Sequence, residues 1–277
     1  PKLGGECAMH VYVADFNRDG YLDILLAVLT DDSKPETLAQ SSLIYYGSSE
    51  GFSEDRYQVI PTYSEGQMHL ADVTGNDYLD IICADKRGYV NIYLGEEDGY
   101  KTDRIKQLPV KGGIVGSINS ADLTGNGYLD LVVGIPAFRA RKPSGFCIFY
   151  GGPDGLTADN VDYCVGDATA TAFSIADINN NGQLDLMVGA YSSATTRVLP
   201  MQIYWGTDKG VDLENPTDIM AESSCGFLAI DISGNGYKDV VVACHRNDLG
   251  HQVDSMIFWN SSDGLSMDRV TRIPGMG

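Results

Sequence analysis

Apolar residues fall along this chain in short runs, which alternate with polar loops rich in Gly, Asp and Asn. The segments 24–28 (ILLAV) and 131–133 (LVV) are two such runs. Consecutive apolar positions indicate strands buried on both faces, because a strand with one wet face would alternate. Short runs bounded by turn residues are typical of strands. The pattern therefore predicts an all-β chain of many short strands.

A polar stretch of nine residues precedes these runs and occurs five times. It has Asp at positions 1 and 9 and oxygen-bearing side chains at positions 3 and 5. The residues at position 1 are Asp15, Asp72, Asp122, Asp177 and Asp231, and their spacings are 57, 50, 55 and 54 residues. Such regular spacing is the mark of a repeat architecture. Five repeats cover the chain, at approximately 7–61, 66–110, 115–165, 170–220 and 225–273.

Each repeat reads as four antiparallel strands, here named A to D. In repeat 1 we expect them at about 8–14, 22–28, 43–47 and 57–61, with the polar stretch joining A to B. A second marker, residues 44–47 (IYYG) in repeat 1, ends strand C. A four-stranded sheet that is covered on both faces and repeated radially is a blade of a β-propeller. We therefore predict a single propeller domain over residues 1–277, with five four-stranded blades.

The polar stretches, called loops 1 to 5, are candidate calcium sites. Side-chain oxygens at positions 1, 3, 5 and 9, a backbone carbonyl at position 7 and a Gly at position 6 suit a hard cation, calcium best. We predict up to five Ca²⁺ ions. The candidate ligands are Asp15, Asn17, Asp19, Tyr21 and Asp23 in loop 1; Asp72, Thr74, Asn76, Tyr78 and Asp80 in loop 2; Asp122, Thr124, Asn126, Tyr128 and Asp130 in loop 3; Asp177, Asn179, Asn181, Gln183 and Asp185 in loop 4; and Asp231, Ser233, Asn235, Tyr237 and Asp239 in loop 5.

The loops differ in charge. Only loop 1 has Asp at position 5, whereas loops 2 to 5 have Asn there, which weakens their attraction for a cation. Loop 2 also has Asp77 at position 6, where the other loops have Gly. The alternative interpretation is that Asp, Asn and Gly serve only to form tight turns, because their side chains bond their own backbone.

The loop, the apolar strand after it and the following Gly or Ala together resemble the FG-GAP or VCBS repeat, which builds the propeller of integrin α subunits. The five copies extend the resemblance over essentially the whole chain. It implies a calcium-stabilised propeller of an extracellular binding or adhesion protein. Integrin propellers have seven blades, so five blades from a larger, seven-bladed ring are the alternative to a five-bladed ring.

Charge and hydropathy restrict the partners. The net charge of −19 argues against nucleic acid, which is bound through basic surfaces. No stretch is long and apolar enough for a membrane span. The loops between strands B and C are an exception to the acidic character, since they combine eight basic with six acidic residues.

Because the B–C loops lie at the opposite end of the strands from loops 1 to 5, we predict that they form a ligand-binding face for a protein or an acidic glycan. The candidate ligand-binding residues are Lys86, Arg87, Arg139, Arg141, Lys142, Arg197 and Arg246. His245, His251 and the aromatic Tyr191 also lie in these loops. The alternative is that long loops simply collect soluble residues.

The cysteines suggest two disulfides. Cys225 and Cys244 flank loop 5, and Cys147 on strand C lies about opposite Cys164 on strand D. Asn260 begins the one N-glycosylation sequon of the chain. Calcium sites, disulfides and a glycan would all place the chain outside the cell, secreted or on the cell surface.

The chain carries no HExxH, GxSxG or P-loop motif, and we predict no enzymatic activity. His69, on strand A of repeat 2, is predicted to be structural. The predicted function is an extracellular binding or adhesion module. The alternatives are a lectin, a polysaccharide lyase or hydrolase, and a structural repeat unit of an extracellular assembly, because the fold alone does not decide among them.

Overall fold

The computed structural model describes residues 8–28, 41–62, 68–85, 87–111, 116–135, 144–166, 170–193 and 195–275. The described residues contain strands, turns and bends and no helix. The chain divides into two compact units, Pro1–Ile118 and Asn119–Gly277, called units 1 and 2. The prediction of a single domain over 1–277 stays a prediction.

Unit 1 holds two four-stranded antiparallel sheets with strands in chain order. Sheet 1 consists of β1 (Ala8–Ala14), β2 (Asp23–Val28), β3 (Ser42–Tyr45) and β4 (Tyr57–Ile60). Sheet 2 consists of β5 (Met68–Ala71), β6 (Asp80–Ala84), β7 (Tyr89–Tyr93) and β8 (Ile105–Pro109).

The remaining strands form three further four-stranded sheets. Sheet 3 consists of β9 (Ile118–Ala121), β10 (Asp130–Ile135), β11 (Ser144–Phe149) and β12 (Val161–Gly166). Sheet 4 consists of β13 (Ala170–Ala176), β14 (Asp185–Ala190), β15 (Val198–Tyr204) and β18 (Thr217–Glu222), and the short ribbon β16 (Gly206–Thr207) and β17 (Gly210–Val211) lies between its last two strands in sequence. Sheet 5 consists of β19 (Ser224–Ile230), β20 (Asp239–Cys244), β21 (Ser255–Phe258) and β22 (Val270–Ile273).

The predicted order of strands A to D is confirmed in every sheet, because each strand pairs with the next in antiparallel register. All residues of β6, β10 and β14 are buried, as their consecutive apolar residues predicted. Side chains on both faces of these strands are therefore shielded from solvent.

Three A strands have a bulge at the same place. The register of β1, β13 and β19 shifts at Met9, Thr171 and Cys225, each six residues before the first Asp of the loop that follows. A bulge adds one unpaired residue and increases the local twist. Its recurrence shows that the repeats share backbone detail as well as strand order.

Candidate functional site

The carboxylate at position 9 of each loop is a buried hydrogen-bond clamp. Its five copies, Asp23, Asp80, Asp130, Asp185 and Asp239, are fully buried. In loop 3, Asp130 accepts one bond from the backbone N–H of Leu123 (2.9 Å) and another from that of Gly151 (2.8 Å). The corresponding two bonds occur in the other four repeats. Each clamp thus ties the A–B loop to the end of strand C.

The close approach between the A–B loop and the chain after strand C explains why a Gly follows strand C. A Cβ atom on Gly151 would lie 2.4 Å from the carbonyl oxygen of Leu129, which is closer than real Cβ atoms come. Gly47, Gly95 and Gly206 would meet the corresponding carbonyl oxygen at 2.3–2.5 Å. The backbone two residues after strand C therefore lies directly against the A–B loop, and only a residue without a side chain fits there in repeats 1 to 4.

The Asn residues at position 5 close loops 2 to 5 through their own amides. In loop 3, Asn126 Oδ1 accepts a bond from Tyr128 N–H (2.9 Å), and Asn126 Nδ2 donates to the carbonyl oxygen of Gly151 (3.0 Å). The same two bonds recur at Asn76, Asn181 and Asn235. An amide that both donates and accepts in this way is a structural bridge, and it adds no charge for a cation.

Loop 1 is different because a carboxylate replaces this bridge. Asp19 Oδ1 accepts from Tyr21 N–H (2.9 Å) and Asp19 Oδ2 from Asn17 Nδ2 (3.0 Å). An ionised carboxylate has no proton to donate across to strand C. Asp15 accepts from the N–H groups of Asp19 and Gly20. Three carboxylates of one short loop are therefore held by backbone and amide donors.

Burial raises the pKa of the clamp carboxylates Asp23, Asp80, Asp130 and Asp185. Burial is the main cause at Asp80, whose pKa is raised to about 6, and it also raises the pKa of Asp130 and Asp185. At Asp23 burial is again the largest cause, and the charges of Asp19 and Asp15 raise its pKa further. Loop 1 is thus the loop in which two neighbouring carboxylates oppose the ionisation of the clamp.

The donor sets fit calcium unequally. Loop 1 offers three carboxylates and the Asn17 amide oxygen, which are the hard oxygen ligands that calcium prefers. In loops 2 to 5 the Asn at position 5 is engaged by the backbone on both sides. Among the described residues, no three His, Cys, Asp or Glu side chains form a group ready to hold a metal ion. The calcium sites, at all 25 residues, stay a prediction.

At position 6 the backbone is left-handed, as the Gly residues predicted. Gly20, Gly127, Gly182 and Gly236 have φ of 85–90°. Asp77 occupies this position in loop 2 with φ of 69°, a region that a residue with a Cβ atom adopts with strain.

The predicted ligand-binding residues of the B–C loops divide into two groups. Lys86, Arg139, Arg141 and Lys142 lie outside the described residues. Arg87 is described, and its guanidinium pairs with the buried carboxylate of Asp85 at 2.5 Å. Burial alone would raise the pKa of Asp85, but hydrogen bonds from Arg87 and Asn91 hold it below its usual range. Arg87 is therefore engaged in a structural ion pair.

The B–C loops of repeats 4 and 5 come together in unit 2 and form the best-defined polar cluster. We call it the loop cluster, and its members are Tyr191, Arg197, His245, Arg246, Asp248 and His251. The Tyr191 ring stacks on His245 with centroids 5.6 Å apart, and His245 meets His251 edge to face at 4.9 Å. The guanidinium of Arg197 lies over the Tyr191 ring, 5.0 Å from its centroid.

Asp248 holds the two loops of the cluster together. It accepts bonds from the hydroxyl of Thr196 (2.6 Å) and the backbone N–H of Arg197 (2.8 Å). These bonds, and the nearby charges of Arg197 and Arg246, lower the pKa of Asp248. In the described residues, Arg197 Nη1 and Arg246 Nε are buried atoms without a hydrogen-bond partner. The cluster itself therefore does not fill the hydrogen-bonding capacity of these two guanidinium groups.

One predicted disulfide is wrong. Cys147 pairs with Tyr163, and Cys164 pairs with Phe146, so the two cysteines are one residue out of register. Adjacent positions on a strand point to opposite faces, which keeps their sulfur atoms apart. Cys164 contacts the hydroxyl of Tyr204 instead, at 3.4 Å.

The other predicted disulfide is not confirmed. Cys225 and Cys244 are both free thiols, and the residue paired with Cys244 is Ser224. Cys225 lies in the bulge of β19, where its thiol donates to the carbonyl oxygen of Ser223 at 3.2 Å.

The glycosylation site at Asn260 is also wrong for the folded chain. Asn260 is 3% exposed, and its Nδ2 donates to the carbonyl oxygens of Ile178 (2.9 Å) and Lys238 (3.0 Å). A glycan on Nδ2 would break both bonds and would have no room. Asn260 takes the place of the strand-ending Gly in repeat 5, and its backbone N–H binds the clamp Asp239.

One side-chain hydrogen bond that recurs between strands C and D was not predicted from the sequence. The second aromatic residue at the end of strand C bonds a polar side chain twelve residues later, as in Trp205 Nε1 to Thr217 (2.8 Å) and Trp259 Nε1 to Thr271 (2.8 Å). Tyr46 bonds Gln58 and Tyr150 bonds Asp162 in the same way. The constant spacing of twelve residues was the available signal. The contact ties strand C to strand D, so these aromatic rings have a structural role.

Comparisons with known proteins agree with this geometry. Residues 72–133, which include loops 2 and 3, match the model of the FG-GAP-like repeat. A comparison with curated proteins found no match. Among the described residues, no helix has the length and apolar character needed to cross a membrane.

A solved chain described as "Crystal structure of BBS1N in complex with ARL6DN, soaked with mercury" is similar in fold. The similarity covers 95% of this chain and 68% of that chain, with a TM-score of 0.54 and 10% sequence identity. At this identity the likeness bears on the fold alone. The chain is therefore an all-β propeller protein that carries an FG-GAP-like repeat, an arrangement typical of binding and adhesion modules.

Proposed function

We propose that this chain is an extracellular binding module that recognises an acidic protein segment or acidic glycan through its B–C loops. The observation that carries the proposal is the loop cluster of repeats 4 and 5. It brings two guanidinium groups, two imidazole rings and an aromatic ring together around the carboxylate of Asp248.

The charges of the cluster favour an acidic partner. Guanidinium groups bind carboxylates and sulfates through charge-assisted hydrogen bonds, which are roughly twice as strong as neutral ones. A net charge of −19 on the whole chain makes a local basic surface the natural point of contact for an anion. The solved chain of similar fold is described in complex with another protein, which supports the use of such a propeller as a binding surface.

Binding of polyanions to immobilised protein tests this proposal, with poly-L-glutamate and a polyuronate as the probes. We expect binding that weakens with salt and that falls about tenfold in Arg246→Glu, the loss of one charged contact. Lys209→Glu, which makes the same charge change on the ribbon of repeat 4, is the matched control and should fall much less. Absence of binding by the wild-type chain, or an equal loss in both variants, would contradict the proposal.

We also propose that calcium binds in loop 1 and stabilises its hairpin. The support is the set of three carboxylates Asp15, Asp19 and Asp23, whose mutual repulsion a divalent cation would relieve. An exposed loop of this kind suits the weak affinity of extracellular calcium modules, with Kd of about 0.1–1 mM. Calorimetric titration with CaCl₂ should give about one ion per chain. A chain that binds no calcium at millimolar concentrations would refute this part of the proposal without affecting the loop cluster.

A further inference from the structure

A cavity lies between sheets 3 and 4, and all of its lining residues belong to unit 2. Its volume is about 440 Å³, within the range of roughly 300–1,000 Å³ that is usual for small-molecule sites. Its walls include Phe146 and Cys164 of sheet 3 and Val188 and Tyr204 of sheet 4. These four residues belong to the apolar cluster that joins the two sheets. The cavity is therefore formed inside one compact unit.

Larger or differently bonded side chains occupy the corresponding positions between sheets 1 and 2 of unit 1. Ile60 takes the place of Cys164 on strand D, and it is completely buried. Tyr93 takes the place of Tyr204 on strand C, and its hydroxyl donates to the carbonyl oxygen of Pro61 beside the neighbouring sheet. In unit 2 the smaller thiol of Cys164 leaves space, and the hydroxyl of Tyr204 donates within its own sheet.

The hydrogen bonds along the inner wall of the cavity run in one direction. Gln202 Nε2 donates to Asp218 Oδ1 (3.1 Å), and a carboxylate only accepts. The other end of the amide, Gln202 Oε1, accepts the proton of the Tyr204 hydroxyl (2.9 Å). Burial raises the pKa of Tyr204, so this hydroxyl keeps its proton. Because that proton is used, Cys164 Sγ is the donor in its contact with the Tyr204 hydroxyl (3.4 Å), and this oxygen has only acceptor capacity left for a ligand.

The other groups around the cavity favour a positive charge. Glu214 is a lining residue with an exposed side chain, and it places a carboxylate at the rim. The rings of Phe146 and Tyr204 meet edge to face with centroids 5.2 Å apart, and aromatic rings attract ammonium groups through their faces. None of the described residues that line the cavity is Lys or Arg. The cavity therefore combines an apolar body with acceptors and negative charge.

We propose that this cavity binds a small organic cation, namely a protonated primary amine that carries an apolar group. Val188, Leu199 and other apolar residues of the walls contact the apolar group. The ammonium group supplies N–H donors and a positive charge, which complement the acceptor at Tyr204 and the carboxylate of Glu214. This site shares no residue with the loop cluster, and its charge preference is the opposite one.

Calorimetric titration with 2-phenylethylammonium tests the proposal, with 2-phenylethanol as the uncharged probe of the same shape. Cys164→Ile gives the cavity the larger side chain that Ile60 provides in sheet 1, and Cys164→Ser, which keeps the space open, is its matched control. Glu214→Gln removes the charge at the rim with little change of shape. Its matched control is Glu50→Gln, the same replacement at an exposed turn of unit 1.

We expect the wild type, Cys164→Ser and Glu50→Gln to bind 2-phenylethylammonium alike, and 2-phenylethanol much more weakly. Cys164→Ile should lose binding, and thermal unfolding shows whether this variant is folded. Glu214→Gln should bind about two- to fivefold more weakly, the contribution of one exposed ion pair. This surface variant decides the question if Cys164→Ile does not fold.

Three results would overturn the proposal. The first is a wild-type chain that binds neither probe, and the second is one that binds both equally. The third is binding at wild-type strength by folded Cys164→Ile or by Glu214→Gln, which would place the amine elsewhere on the chain.

Discussion

At the scale of single residues, position 5 of the A–B loops separates a charged loop from four amide-bridged loops. Asn126 donates to strand C, whereas Asp19 has no proton to donate and adds a third carboxylate. Side chains of almost identical shape therefore act differently. The amide bridges its loop to strand C, whereas the carboxylate adds negative charge to loop 1 without that bridge.

Exchange of these residues gives the first prediction. Asp19→Asn should abolish the calcium dependence of the melting temperature, because loop 1 would then resemble the other loops. Asn126→Asp should destabilise the chain by about 1–3 kcal/mol without calcium, since the bond to Gly151 is lost and the carboxylate faces a carbonyl oxygen. Thermal unfolding with CaCl₂ and with a chelator measures both. Unchanged calcium dependence in Asp19→Asn would contradict the assignment of loop 1.

His69 gives a second prediction at this scale. Burial lowers the pKa of His69, so the folded chain resists its protonation. The unfolded chain binds the proton from about pH 6.5 downwards, and this residue therefore makes stability fall as the pH drops below that value towards the folded pKa. His69→Gln should lose less stability than the wild type between pH 7.5 and pH 5.5 in urea unfolding. Parallel stability profiles for the two proteins would show that His69 contributes nothing to the pH dependence.

At the scale of the repeat, the backbone two residues after strand C lies so close to the A–B loop that this position is Gly in repeats 1 to 4. Asn260 is the exception, and its side chain turns towards two carbonyl oxygens. In every repeat one clamp carboxylate, at the start of strand B, bonds both the A–B loop and the residue that follows strand C, as Asp130 does with Leu123 and Gly151.

Two adjacent glycines allow this to be tested. Gly151→Ala should destabilise the chain by about 1–3 kcal/mol, because the new methyl group would lie 2.4 Å from the Leu129 carbonyl oxygen. Gly152→Ala is the control, since a Cβ atom there meets nothing within 4 Å. Urea unfolding of both variants measures the difference. Equal stabilities would mean that the backbone moves aside at little cost.

Strand existence was predictable from the sequence, whereas register was not. Apolar runs placed β1 at Ala8–Ala14 and β4 at Tyr57–Ile60, within one residue of the expected ranges. The pairing of Cys147 with Cys164 failed by one residue, and a shift of one residue turns a side chain to the other face. Local patterns determine where strands lie, but register also depends on loop lengths that no periodicity reveals.

In the candidate sites too, local features were predictable from the sequence and contacts between distant residues were not. The loop carboxylates were identifiable from their spacing, but not the backbone N–H groups that occupy them, because the donor at Gly151 is 21 residues from Asp130. The loop cluster depends on a contact between Tyr191 and His245, 54 residues apart. Asn260 matched a sequon of three residues, and its burial is set by strands far away in sequence. Sequence spacing thus found chemistry within one loop and missed chemistry between loops.

At the scale of the whole molecule, the proposed loop cluster is a local basic surface on a strongly acidic chain. The loop cluster would attract an anion through guanidinium groups, and this attraction is screened by salt. A polyanion must also overcome the repulsion of a chain of charge −19.

Salt should therefore act mainly through the charged groups of the loop cluster. Between about 0.01 M and about 0.15 M NaCl the screening length falls from about 30 Å to about 8 Å. Binding of poly-L-glutamate to the wild-type chain should weaken over this range, and binding to Arg246→Glu should weaken less, because one of the attracting charges is already gone. Polyanion binding to both proteins at each salt concentration measures the difference. An equal salt dependence in the two proteins would contradict the assignment of Arg246 to the binding surface.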